Sequence, residues 1–291
     1  MTEPRVPLPD TALRVAVGQA MAVPGELAAN AATAARMVAL AGADSARLLV
    51  LPELFLPGYH PPTLAADPSR CDVTADETGT VRDPRLDALS TAAAGHGVAV
   101  LVGAAVRAAD GARYLAALLV AADGAVRDAY HKRHLCGAEE TDLFAAGTEA
   151  TTLALGGWRL GVGICYDGCF PEHARQAAAA GAHAMVYPTA YVVGGEHRRD
   201  LYYRARALDN TIFVAYANAV GGPEPWRCNG GSAVYEPEGR ALVRAPDEGE
   251  TVLVADLDPG RLAATRADQT MLADAALGEP ADRHLLAADP S

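Results

Sequence analysis

The chain has 291 residues, 51% of them hydrophobic and 21% charged, which is enough apolar material to close a large core and excludes disorder as a description of the whole. Its 36 acidic against 24 basic residues give a net charge of −12, so a phosphate backbone or an anionic membrane would meet a repelling surface. Neither nucleic acid nor membrane is therefore expected as a partner. No run of about 18 uncharged apolar residues occurs, residues 1–10 lack a basic start followed by an apolar run, and the five cysteines (71, 136, 165, 169 and 228) form neither a disulfide framework nor C-x-x-C pairs. A soluble, cytoplasmic protein with reduced thiols is expected.

Along the chain, short apolar runs alternate with Ala-rich segments of helical period, which predicts an α/β protein. Residues 13–19 read as a buried strand, 27–43 as a helix and 47–51 as the next strand, ending in Pro52-Glu53. A helix over 83–95 leads to a strand over 98–106. Strands over 114–120 and 125–131 flank Asp123-Gly124, a hairpin signal. The strand over 158–165 feeds a helix over 171–180, with Pro171 at its first position. A strand over 184–187, a helix near 199–209 and strands over 212–220, 231–235, 240–244 and 251–257 complete the series, and the tail after Arg266 is polar and weakly patterned. No linker divides these elements. One domain over 1–291 is expected, with a core at about 13–265 and a polar tail at 266–291. Hairpins mixed with helix crossovers imply two mixed sheets packed together with helices outside.

Composition also singles out one residue. Alanine fills 64 positions, and the 24 basic residues are 23 arginines and a single lysine, Lys132. Where arginine has replaced lysine almost everywhere, a lysine that remains is suspected of needing a compact ammonium rather than a planar guanidinium.

Glu53, Lys132 and Cys165 each stand at or just past the C-terminal end of a predicted strand, the edge where α/β sheets assemble sites. In GVGICYDGCFPE at 161–172 an apolar strand runs straight into a turn and a helix. Such a turn presents a cysteine beside backbone N–H groups, which is expected to lower its thiol pKa. Glu53 is a lone carboxylate among apolar neighbours, so partial desolvation is expected to raise its pKa and suit it to carrying protons. Cys71, Cys136, Cys169 and Cys228 read as inert packing, and His197-Arg198-Arg199 as the start of a solvated helix. His131 and His134, on a strand end, point apart and are not expected to form a metal pair.

Three motifs in order, LPELFLPGY at 51–59, YHKRHL at 130–135 and GICYDGCFPE at 163–172, resemble those of the nitrilase superfamily of carbon-nitrogen hydrolases. PTA at 188–190, ARALDNTIFVAYAN at 205–218 and GGSAVYEPEG at 230–239 extend the resemblance over about 13–265. It implies a four-layer α-β-β-α sandwich, a catalytic set of Glu53, Lys132 and Cys165, and no metal or organic cofactor. Members often carry a second glutamate eight residues after the lysine and four before a phenylalanine, and Glu140 with Phe144 fits both spacings. The resemblance further implies a thioester mechanism: Cys165 attacks a carbonyl carbon, Lys132 and the Tyr166 backbone N–H hold the oxyanion, and Glu53 moves protons. Tyr166 and Asp167 stand where nitrilases proper carry tryptophan and glutamate, and so resemble the aliphatic and stereoselective amidase branch. Hydrolysis of a small aliphatic or amino-acid-type amide is expected. N-carbamoyl-amine or nitrile hydrolysis on the same site, a thiol-redox protein using Cys165 and Cys169, and a non-catalytic binding protein are the alternatives. Tyr59, Tyr166, Tyr191 and Trp226 are pocket candidates, and a homodimer or larger homo-oligomer is expected.

Overall fold

The computed structural model describes residues 6–274. The strands are β1 (Leu13–Gln19), β2 (Leu48–Val50), β3 (Asp72–Thr74), β4 (Ala99–Arg107), β5 (Arg113–Val120), β6 (Val126–His131), β7 (Thr152–Leu155), β8 (Trp158–Val162), β9 (Ala184–Thr189), β10 (Phe213–Asn218), β11 (Val220–Gly221), β12 (Cys228–Asn229), β13 (Ala233–Tyr235), β14 (Ala241–Arg244) and β15 (Thr251–Leu257). One sheet has the order β15-β1-β2-β4-β5-β6, with β3 on β4, and the other β14-β13-β10-β9-β8-β7. Both are mixed, as the hairpins imply: β1, β2 and β4 run parallel and so do β8, β9 and β10, while β15, β5, β6, β13, β14 and β7 pair antiparallel.

Alternation along the strands explains the layering. Leu13, Val15 and Val17 of β1 pack with Trp158, Leu160, Val186 and Phe213 in a core between the two sheets. Ala16 faces the other way, onto the helices Leu27–Ala43 and Asp87–His96. In the second sheet Met185 and Tyr187 turn outward against Ala174, Ala178, Tyr203 and Ala207 of the helices Pro171–Ala179 and Glu196–Asn210. The result is a four-layer α-β-β-α sandwich.

Several boundaries differ from the expected ones. The strand over 158–165 ends at Val162, because Cys165–Cys169 closes into a 3₁₀ turn. The helix over 83–95 opens as a 3₁₀ turn, Pro84–Leu86, in which the Asp83 carboxylate accepts from Arg85 N at 2.9 Å. The strand over 212–220 is broken after Asn218, whose backbone N–H is taken by Ser232 Oγ rather than a ladder partner. The helix Pro259–Asp268, where only Leu262 and Thr265 are buried, runs into the tail expected from 266, which continues with the short helix Met271–Asp274; its stretch 275–291 lies outside the described residues. β7, an edge strand with alternate residues exposed, was not expected.

Candidate active site

Glu53 follows β2 by three residues, Lys132 follows β6 directly, and Cys165 follows β8 by three, so both sheets deliver a group to the same end of the sandwich. The Glu53 loop rests on the backbone of β4. Gly103 N donates to Pro52 O and Leu56 N donates to Gly103 O, both at 3.0 Å. Only glycine fits there, since a Cβ at 103 would lie 2.3 Å from Leu54 N. Buried Asn30 holds the far side of the loop by donating to Val23 O at 2.8 Å and Leu56 O at 2.9 Å. Glu53 N reaches across to Thr189 O, at the end of β9 in the other sheet, at 3.3 Å.

Lys132 is fully buried. Its Nζ donates to Glu53 Oε1 at 2.6 Å and to Glu140 Oε1 and Oε2 at 2.8 and 2.7 Å. Glu140, on the short helix Gly137–Thr141, is held in turn by the Tyr59 hydroxyl at 2.9 Å and by Cys136 N at 2.8 Å. Two carboxylates around one ammonium leave the cluster with a net charge of −1 before the cysteine is counted. Burial drives Lys132 towards losing its proton, but the charges of Glu53 and Glu140 outweigh it and hold its pKa well above the ordinary lysine value. Glu53 shows the opposite balance: burial outweighs the attraction of Lys132 and pushes the carboxyl up to about 7. Glu53 Oε2 is buried with no hydrogen-bond partner, and the Cys165 thiol lies close enough to Glu53 to favour its charge.

Cys165 opens the turn with φ +41°, a left-handed conformation that is strained for a side-chain-bearing residue and is enforced by its surroundings. The Tyr203 hydroxyl donates to Cys165 O at 2.9 Å, and Arg206 Nε donates to Gly168 O at 3.0 Å, so the Glu196–Asn210 helix clamps the turn from outside. From inside, buried Asp167 accepts from Ile164 N at 2.9 Å and from the Tyr130 hydroxyl at 2.8 Å. It also bonds His134 through backbone N at 3.0 Å and ring Nδ1 at 2.7 Å. Tyr130 and His134 flank Lys132 in sequence, so one carboxylate ties the lysine segment to the cysteine turn. The expectation of a low thiol pKa is corrected here. Burial, with Glu53 and its charge alongside, pushes Cys165 well above the ordinary thiol value, against the pull of Lys132 and the Ala190 backbone N–H. The resting group is a thiol beside a carboxylate that can take its proton.

Cys165 is half-buried at the wall of a cavity of about 420 Å³ whose lining also includes Glu53, Glu140, Tyr59, Tyr166, Tyr191 and Trp226. All four aromatic pocket candidates thus meet the cavity. Trp226 stands edge-on to His60 at 5.1 Å, and Tyr191 OH lies 3.4 Å from Cys169 Sγ. Two readings of the sequence are overturned. Cys136 and Cys169 line the cavity instead of filling the core. Arg199, taken as solvated, is fully buried: Nη1 donates to Asn229 O, Asn229 Oδ1 and Gly230 O within 2.9 Å, and Asp200 and Asp247 neutralise its charge. Arg198 is exposed, as the start of a solvated helix implies, and also lines the cavity. His131 and His134 do point apart, to Asp128 at 2.6 Å and Asp167 at 2.7 Å. Tyr130, Tyr203 and Arg206 were missed as supports of the turn; their spacing was visible, but their partners lie about 35 to 45 residues away in the chain and nothing local marks them.

A sandwich with this arrangement at one end defines a class, and over residues 14–267 the chain matches the carbon-nitrogen hydrolase family, to which it belongs. It is a hydrolase of carbon–nitrogen bonds other than peptide bonds, in the amidase-like branch of the nitrilase superfamily. It is 34% identical over 267 residues to the hydrolase in the pqqF 5′ region of Pseudomonas protegens, covering 90% of this chain and 88% of that one. It is 32% identical over 253 residues to the (R)-stereoselective amidase of Pseudomonas sp., covering 86% of each. Among solved structures it is similar to the amidase from Nesterenkonia sp. AN1. A mutant of that enzyme in complex with butyramide shares 31% identity, with 90% of this chain and 97% of that one covered at a TM-score of 0.75. A second, with the acetamide moiety of fluoroacetamide added covalently at its active-site cysteine, shares 30% at the same coverage and TM-score. No helix among the described residues is long and apolar enough to cross a membrane.

Proposed function

We propose that the chain hydrolyses a small aliphatic or amino-acid-type primary amide to a carboxylate and ammonia through a thioester on Cys165. The observation that carries this reading is the buried Glu53–Lys132–Glu140 cluster against Cys165 at the wall of an accessible cavity. As the sulfur attacks the carbonyl carbon, its proton passes to Glu53, so no free thiolate need form beside two carboxylates. The carbonyl oxygen gains the charge, which the Lys132 ammonium and the Tyr166 backbone N–H stabilise; losing one such donor costs about 3 to 4 kcal/mol. Protonated Glu53 then delivers its proton to the nitrogen, the C–N bond breaks and ammonia leaves. Glu53, ionised again, takes a proton from the water that attacks the thioester, and the sulfur recovers it when the acid departs. Glu140 holds Lys132 in place and keeps it charged.

A small acyl group suits a cavity of about 420 Å³, and the butyramide complex and the covalent acetamide adduct of the Nesterenkonia amidase carry groups of that size. The test is ammonia release from short aliphatic amides, amino-acid amides, N-carbamoyl amines and nitriles, with Cys165→Ala as the blank. Turnover concentrated in the amides supports the reading; turnover of nitriles or carbamoyl amines alone replaces it, and turnover with Cys165→Ala removes the nucleophile.

A further inference from the structure

The peptide joining Cys165 to Tyr166 is trans and planar, with its carbonyl and its N–H on opposite sides, so a group that holds Cys165 O also helps to set the direction of the Tyr166 N–H. Cys165 O accepts from the Tyr203 hydroxyl at 2.9 Å. Tyr203 is fully buried on the Glu196–Asn210 helix and is not part of the cavity lining. Its ring reaches the turn because residue 168 is glycine, where a Cβ would stand 2.5 Å from Tyr203 Cε1. Burial holds the phenol well above its ordinary pKa, so the proton stays on the oxygen and is available to donate. A hydroxyl has one proton to give, and here it goes to Cys165 O, so in its hydrogen bond with Tyr191 the Tyr203 oxygen accepts. The Tyr191 oxygen in turn lies 3.4 Å from Cys169 Sγ, whose S–H can donate to it. Cys169, Tyr191, Tyr203 and the 165–166 peptide thus line up as donors that all point the same way, and hydrogen bonds in such a chain polarise one another.

From this chain we propose that Tyr203 is a positioning residue for the oxyanion: by holding Cys165 O it aims the Tyr166 N–H into the cavity and strengthens it as a donor to the charge that develops there. The inference rests on the amidase reading and adds a supporting group to its machinery. Loss of the hydroxyl leaves the sulfur's own restraint in place, since Asp167 still accepts from Ile164 N at 2.9 Å just before the nucleophile. The effect therefore falls on the oxyanion and spares the thiol.

The test is Tyr203→Phe in the full chain, which removes one oxygen and keeps the ring packed against Tyr216 at 4.5 Å and Tyr187 at 5.2 Å. The readouts are ammonia release from butyramide, inhibition by butyraldehyde and alkylation of Cys165 by iodoacetamide. Butyraldehyde adds reversibly to a thiol, the sulfur bonding to the carbon while the thiol proton moves to the oxygen, so that oxygen takes the place of the oxyanion. With the hydroxyl gone, kcat/KM should fall about tenfold, the size of one hydrogen bond, with kcat falling alike and KM within about twofold. The inhibition constant of butyraldehyde should rise by a similar factor. Alkylation builds no charge on a carbonyl oxygen and should stay within about twofold of wild type. Wild-type kcat/KM in Tyr203→Phe, a butyraldehyde constant that does not move, or alkylation that falls as far as turnover overturns the role of Tyr203 and leaves the amidase reading standing. No ammonia from any short amide with the wild type overturns both.

Discussion

Gly103→Ala tests how the fold sets the position of Glu53. The new Cβ would lie 2.3 Å from Leu54 N, 2.5 Å from Pro52 O and 2.6 Å from Glu53 C, all backbone atoms with no rotamer to yield. Contacts of a Cβ do not fall below 3.0 Å, so the loop must retreat by at least about 0.7 Å, which is 3.0 minus 2.3. β4 cannot give way instead, since β2 and β5 flank it in the sheet. A retreat of that size opens the Glu53–Lys132 contact from 2.6 Å towards about 3.3 Å and moves the proton carrier away from Cys165. Misplacement of about 1 Å costs on the order of 100-fold in rate. Overpacking costs about 1 to 3 kcal/mol, or a melting temperature lower by about 3 to 10 °C. Ammonia release should therefore fall about 10- to 100-fold in kcat/KM while the protein still melts cooperatively. Gly95→Ala, in a helix with nothing within 4 Å of the added Cβ, is the control and should change neither measurement downward. Wild-type kcat/KM in Gly103→Ala would refute the claim that this contact fixes Glu53.

Other outcomes follow from the same geometry. Glu53 must be ionised to take the thiol proton, and its carboxyl is pushed up to about 7, so kcat/KM should fall as pH drops through about 7 rather than near the ordinary carboxylate value; a profile flat down to pH 5 would remove Glu53 as the base. Lys132→Met leaves two buried carboxylates facing each other and should cost about 3 to 5 kcal/mol in chemical denaturation. Lys132→Arg keeps the charge but overfills a fully buried position, so turnover should be lost; wild-type turnover would refute the need for an ammonium. Asp167→Asn turns at least one of the four hydrogen bonds at that carboxylate into a donor facing a donor, a loss of about 1 to 3 kcal/mol. Its kcat and the rate of Cys165 alkylation by iodoacetamide should fall together, and unchanged alkylation would show that the tether does not position the sulfur.

Much of this site could be read from the chain because its groups follow strands. Buried strands announce themselves by apolar runs, and a polar residue at the end of one is conspicuous: Glu53 after LLVLP, Lys132 after VRDAYH and Cys165 after WRLGVGI. Lys132 was doubly visible in a chain of 23 arginines. The supports were not visible, because each is satisfied by distant backbone. Arg199 and Arg206 sit in a polar-looking helix and are buried only because loops at 229–230 and 168–169 present carbonyls to them. The thiol was misjudged for a similar reason. Backbone donors at the turn could be inferred locally, whereas the burial and the Glu53 charge that raise its pKa come from another sheet.

The central claim is that Cys165 carries the acyl group. Wild-type enzyme quenched in acid during butyramide turnover, digested and measured by mass spectrometry should show a butyryl group on the peptide containing Cys165. Cys165→Ala should show neither that adduct nor ammonia. A butyryl group found on a different residue, or ammonia released by the alanine variant, would contradict the account.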